Sequence, residues 1–304
     1  TFYDVMPKNI TLQKAVTLSL GKINSPVVTN YRIGVIVFNL YKTKEFEGQT
    51  LSLRKEQPEF RDYSRIANEL FEIGVLQNIK GLKSVFTVLG KKAEFAEDIV
   101  CTIDPFAYIS HLSAMDYHGL TDRIPKLLFF SSPSTKKWSA YARARMAKDL
   151  GEEFIDAYLE SGFPRLSRIA ISKIEKIGVI RYSSDHLGAF KTVKNRVMRI
   201  ATIGRTFLDM LRRPDLCGGI YHVIDVFKEH SENYLSLIVD EIDQHGKKID
   251  KVRAGYILEE QCKISDKRIE SWLEFVQRGG SRKLDPSEEY SSEYSDRWCL
   301  SINI

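Results

Sequence analysis

Cysteine is scarce in this 304-residue chain and widely scattered. Cys101, Cys217, Cys262 and Cys299 form no C-x-x-C pair. Four cysteines could frame a small secreted domain with disulfides, but in a chain this large thiols kept reduced in the cytoplasm are the expectation. The first residue is Thr1, which reads as a trimmed or truncated start, and residues 1–20 lack the basic-then-apolar order of a secretory leader. Long apolar runs are missing too. The strongly apolar, uncharged stretch at 33–41 falls well short of the roughly 20 residues that span a bilayer, so no membrane partner is expected. There is no G-x-S-x-G, H-E-x-x-H, Walker loop or G-x-G-x-x-G, and Gly178 and Gly188 stand alone. His111 and His118 are seven residues apart, about 10 Å along a straight helix, too far for one metal ion. Glu175 and Lys176 are adjacent, so they would point to opposite faces of a strand and not share a nuclease-like site. No internal repeat or low-complexity segment is present. No catalytic residue, metal site or cofactor is expected.

What is present supports a packed protein. Apolar residues make up 43%, and the length suits two or three domains. The net charge is +5. Residues 1–90 hold 12 lysines and arginines against 8 acidic residues, a surplus of +4, which leaves +1 for the rest. A basic end is the electrostatic footprint of a nucleic-acid contact, although small local surpluses are common.

The periodicity predicts a short helix over 10–20, broken at Asn24-Ser25-Pro26. Residues 31–41 suit a strand by propensity and leave helix and strand both open. Residues 42–57 read as an irregular polar connection. Over 61–73, Tyr63, Ile66, Leu70 and Ile73 share one helical face, with Gly74 as the C-terminal cap. Residues 75–79 and 84–88 read as two strands joined at Lys80-Gly81. A charged linker at 91–98 sets the first boundary, giving domains 1–92 and 93–304, the latter divisible near 98–200 and 201–304.

Asp104-Pro105 predicts a helix start running to Tyr117. Residues 127–130 read as a buried strand and 138–159 as one long helix. The basic first half of that helix reads as a solvated face, with a second nucleic-acid surface at 137–148 left open. Several strands are expected over 169–203, with loops at Ser183-Ser184-Asp185 and Leu187-Gly188. Helices are expected from Arg205 onward, with caps at Ser231 and Ser265 and a stop at Gly279, and 298–304 alternates like a closing strand.

In "RTFLDMLRRPDLCGG", residues 205–219, Arg205 and Asp209 lie one helical turn apart and can pair. Pro214 ends the helix, and Gly218-Gly219 permits a tight turn before the next one. Arg205, Thr206, Asp209, Pro214, Gly218 and Gly219 therefore read as a structural corner, with anion binding as the second reading.

Two short helices, a third amphipathic helix and a hairpin are the element order of a winged helix-turn-helix. The third helix would offer Arg61, Ser64, Arg65 and Asn68 to the major groove, where arginine reads guanine and asparagine reads adenine. Lys80 and Lys83 on the wing would reach phosphate. The expected fold class is α+β: an N-terminal winged helix-turn-helix domain followed by a larger mixed α/β domain.

The chain resembles the AbiEi antitoxins of the AbiE abortive-infection, type IV toxin–antitoxin systems. "ELFEIGVLQNIKGLKSVFTVLG" resembles the family's DNA-binding domain. "DPFAYISHLSAMDYHGLTD" is similar to the segment opening its second domain, and "RTFLDMLRRPDLCGGIYHVIDVF" to its most specific motif. "GYILEE", "LDPS" and "RWCLSINI" are similar to its ending. The long connection at 42–57 departs from a minimal winged helix. The resemblance implies a cytoplasmic antitoxin that is not an enzyme. It would bind double-stranded operator DNA, repress its own operon and oppose a nucleotidyltransferase-like toxin without needing a stable complex with it. The alternatives are a winged-helix regulator with a sensing domain and a nucleic-acid-processing enzyme.

Overall fold

The computed structural model describes residues 9–184, 189–278 and 282–304. The signals at Asp185, Leu187-Gly188 and Gly279, and the first eight residues, lie outside that set. The chain runs β1 (Asn9–Thr11), α1 (Leu12–Lys22), β2 (Val27–Thr29), α2 (Asn30–Thr43), β3 (Glu45–Phe46), β4 (Gln49–Ser52), α3 (Phe60–Glu72), β5 (Leu76–Asn78) and β6 (Val85–Val88). It continues through α4 (Ala96–Ile103), β7 (Tyr108–Ile109), α5 (His111–Tyr117), β8 (Leu127–Pro133), α6 (Thr135–Leu150) and α7 (Ile155–Glu160). Strands β9 (Lys173–Ile174), β10 (Ile177–Ser184), β11 (Phe190–Thr192) and β12 (Arg199–Ala201) lead to α8 (Ile203–Arg212), α9 (Ile220–His245), α10 (Lys248–Gly255) and α11 (Lys267–Ser271). A final pair, β13 (Tyr294–Ser295) and β14 (Leu300–Ser301), closes the chain. The fold class is mixed α+β.

Contacts group the chain into two compact units. The first comprises residues 1–106, 133–177 and 194–198, and the second residues 107–132, 178–193 and 199–304. The chain alternates between them, whereas the sequence pattern suggests sequential pieces, cut between 92 and 93 and divisible again near 200. The cause is the stretch from helix α6 to Phe163. Met146, Leu150, Tyr158 and Phe163 are apolar side chains of the first unit's core, packed with Val16, Leu20 and Phe38. Phe38 meets Tyr158 edge-on at 5.2 Å between ring centroids, and Tyr31 Oη donates to Asp149 Oδ2 at 3.0 Å.

In the first unit, strands β2, β6 and β5 form an antiparallel sheet in that order, with Val28 opposite Phe86 and Gln77 opposite Thr87. Helix α2 covers the stretch whose valines and isoleucines suited a strand. Its N-cap Thr29 accepts from the Arg32 amide at 3.3 Å, and Tyr31, Ile33, Val35, Val37, Phe38, Leu40 and Tyr41 are all buried. Burial nearly all round the helix hides the 3.6-residue period and overrides propensity. The connection at 42–57 is also ordered. Strands β3 and β4 form a hairpin, and β4 pairs in parallel with β1.

The second unit carries a sheet in the order β11-β12-β7-β8-β10. Its helical core centres on α8 and α9, where Phe207 and Phe227 meet edge-on at 4.8 Å. Four local expectations are corrected by the structure. The helix expected from Asp104-Pro105 starts at His111, because Asp104 accepts from the Phe106 amide and the Trp138 indole, both at 3.0 Å, and so caps a turn. The long helix expected over 138–159 breaks at Gly151, whose φ is +94°. Ser231 lies within α9, and Asp266, not Ser265, caps α11.

Candidate nucleic-acid interface

Helix α3 owes its orientation to one apolar face. Tyr63, Ile66 and Leu70 are buried, and the Tyr63 hydroxyl donates to Asn30 Oδ1 at 2.9 Å. The opposite face is therefore turned to solvent. Arg61, Arg65 and Asn68 are exposed and Ser64 is half-buried. The four sit at i, i+3, i+4 and i+7, a single stripe. Arg65 pairs with Glu69 at 2.9 Å, an exposed pair of the kind that contributes under about 1 kcal/mol and exchanges readily for another partner. Arg61 has no ion-pair partner among the described residues. The helix start is acidic, with Glu59 and Asp62 forming a reciprocal capping box.

Lys80 and Lys83 are both exposed on the turn joining β5 to β6. Gly81, at φ +84°, and Ser84, at φ +63°, supply the left-handed conformations that the turn requires. Leu82 anchors it by burial at 6% exposure. The turn is stiffened by the Leu82 amide donating to the Ile79 carbonyl at 3.1 Å.

Charge divides between the contact units. The first unit holds 25 lysines and arginines against 18 acidic residues, a net +7 in 156 residues, and the second carries −2. In the second unit, arginines are largely spent internally. Arg205 pairs with Asp209, Arg212 with Asp250, Arg213 with Asp215 and Arg297 with Glu259.

The 205–219 motif sits inside that second unit. Arg205 and Asp209 are each 1% exposed and Thr206 is fully buried. Arg205 Nε donates to Asp209 Oδ1 at 2.8 Å, and the Thr206 hydroxyl donates to the Thr202 carbonyl at 2.9 Å. Pro214 opens a short 3-10 turn that ends at Gly218. Gly218 has φ +90°, and a Cβ there would lie 2.7 Å from the His222 ring and 2.8 Å from Arg123 Nη1. Gly219, at φ +92°, faces open space. The geometry is that of a packed corner, with its cations paired.

Sequence reasoning missed the polar cluster behind this corner. Ser110, His111, Ser131 and Ser184 are buried. Ser131 Oγ donates to Ser110 Oγ and Ser110 Oγ meets His111 Nδ1, both at 2.8 Å. Tyr108 Oη and Arg205 Nη2 both donate to Ser184 Oγ at 3.3 Å. His111 has φ +52°, strained backbone for a residue with a side chain. Burial pushes its pKa down, opposed by the Asp209 carboxylate and helped by the Arg205 guanidinium. The imidazole is thus neutral at pH 7. Burial pushes the Cys217 thiol well up, so it stays protonated. No sequence signal marks the cluster, because its members come from four separate segments.

No helix among the described residues is long and apolar enough to cross a membrane. No family model matches the chain, and no curated protein matches it. Among solved structures, the chain is similar to the crystal structure of the RV2827C protein from Mycobacterium tuberculosis, with 12% identity over 95% of this chain and 90% of that one, at a TM-score of 0.49.

Proposed function

We propose that this chain is a DNA-binding antitoxin of the AbiEi kind. It represses its own operon and opposes a nucleotidyltransferase-like toxin, in the cytoplasm and without catalysis. On this reading the first unit contains a winged helix-turn-helix, with α3 as the groove-reading helix and the β5–β6 turn as the wing. The order α1, β2, α2, α3, β5, β6 and the β2-β6-β5 sheet fit that motif, with β3 and β4 inserted between its second and third helices.

One observation carries the reading. Exposed Arg61, Arg65 and Asn68 on α3 and exposed Lys80 and Lys83 on the turn belong to the same +7 unit. Cations on a helix stripe and on a neighbouring turn suit a duplex, whose groove and flanking phosphates both need contacting. The second unit, with paired arginines and a buried, protonated thiol, supports a packed effector body over an enzyme. The antitoxin role rests on the sequence resemblance.

Two measurements test this. A labelled duplex from directly upstream of the gene is expected to bind more tightly than an unrelated duplex of equal length. Co-expression with a neighbouring nucleotidyltransferase-like gene is expected to restore growth. Absence of binding sinks the DNA reading. Binding without rescue leaves a plain regulator.

A further inference from the structure

We propose that Arg165, far from α3 and the wing in sequence, contacts the DNA backbone between them. The proposal rests on the winged-helix reading above. The segment 162–165 belongs to the first unit and is fixed there by Phe163, which is 2% exposed. Its ring lies 5.6 Å from that of Tyr63, on the buried face of α3. A Cβ on Gly162 would lie 3.6 Å from Cβ of Phe60, the first residue of α3 and the neighbour of Arg61. The chain therefore passes directly beside the start of the groove-reading helix.

Two residues later it reaches the foot of the wing. Arg165, Pro164 and Ser167 line a groove of about 200 Å³ together with Asn30 and Ser84. The Asn30 amide donates to the Ser84 carbonyl at 3.1 Å, and Ser84 is the residue after Lys83. Arg165 is exposed and has no hydrogen-bond or ion-pair partner among the described residues. The wall of that groove contains no carboxylate, and a second groove that Arg165 lines sets Arg143 and Arg168 against the single carboxylate of Asp156. An unpaired guanidinium on a segment that touches the start of α3 at Phe60 and shares a groove with Ser84 at the foot of the turn is within reach of a phosphate strand passing from groove to wing. Guanidinium binds phosphate bidentately, and each such contact releases counterions from the duplex.

The test uses the full chain and two labelled duplexes, the upstream region and an unrelated one of equal length, titrated at several salt concentrations. Arg165→Ala is expected to weaken both complexes uniformly and to make the log–log salt dependence shallower by about one. Arg165→Lys is expected to keep the slope. Ser167→Glu, an exposed change on the same groove, is expected to weaken binding without touching Arg165. Lys228→Ala, on the exposed face of α9, is the control and should leave the slope unchanged. Thermal unfolding is measured for each variant. Wild-type binding with an unchanged Arg165→Ala slope overturns this inference alone, as does an equal change in Lys228→Ala. A wild-type chain that binds neither duplex overturns the DNA reading, and this inference with it.

Discussion

Arg205 and Asp209 form an ion pair at 2.8 Å along helix α8, with side chains 2% and 1% exposed. Burying two charges is unfavourable unless each keeps the other, so breaking such a pair is far more damaging than removing it whole. Arg205→Ala is therefore expected to destabilise the chain by about 3–5 kcal/mol in urea unfolding. Replacing both residues, Arg205→Met with Asp209→Leu, is expected to recover much of that loss. A double variant as unstable as the single one would refute the argument.

Buried His111 and half-buried His118 predict how stability responds to acid. Burial lowers the pKa of both His111 and His118. The unfolded chain then takes up protons at these sites below about pH 6.5 while the folded chain does not. Stability is fully present above that value and falls as pH drops below it, with a slope of up to about 1.4 kcal/mol per pH unit from His111. His111→Asn retains a residue tolerant of the left-handed backbone and removes the titration. Its unfolding free energy is expected to vary less steeply between pH 5 and 6.5.

On the β5–β6 turn, Lys80→Ala and Lys83→Ala are each expected to make the salt dependence of DNA binding shallower by about one, with no change in sequence preference. Asn68→Ala and Arg61→Ala on α3 should instead weaken the upstream duplex more than an unrelated one, by about 1–3 kcal/mol where a base contact is lost. Equal losses on both duplexes would move those two residues from base edges to phosphates.

The two glycines of the corner should differ. Both have φ near +90°, but only Gly218 has neighbours within reach of a Cβ. Gly219→Ala is expected to cost about 1 kcal/mol from backbone strain alone, and Gly218→Ala clearly more, because His222 and Arg123 must also move. Arg123 would then lose its 2.8 Å hydrogen bond to the Gly218 carbonyl. Paired thermal melts decide it, and equal losses would count against the packing argument.

Local signals made some elements legible in the sequence, and tertiary packing hid others. Helix α3 and the β5–β6 hairpin are readable, because Tyr63, Ile66 and Leu70 mark a single face and Gly81 marks the turn. Helix α2 is ambiguous, because burial on nearly every side removes the period that distinguishes helix from strand. The Asp104-Pro105 start misleads because the Asp104 carboxylate is committed to Trp138, 34 residues away. The Arg205–Asp209 pairing is visible from spacing, but its burial is not. His111 and Arg165 give no usable signal. Tertiary packing alone, through Ser110 for one and Phe163 for the other, gives them their positions.

The alternation of the chain between the two units has a consequence for biosynthesis. A ribosome that has released residues 1–92 has delivered α1, α2 and α3 but not Met146, Leu150, Tyr158 or Phe163, which fill the space against Phe38 and Val16. The nascent amino-terminal segment must wait, with part of its apolar interior unfilled, until Phe163 has been added. A fragment ending at residue 92 would remain in that incomplete state permanently, and aggregation or rapid proteolysis is its expected fate.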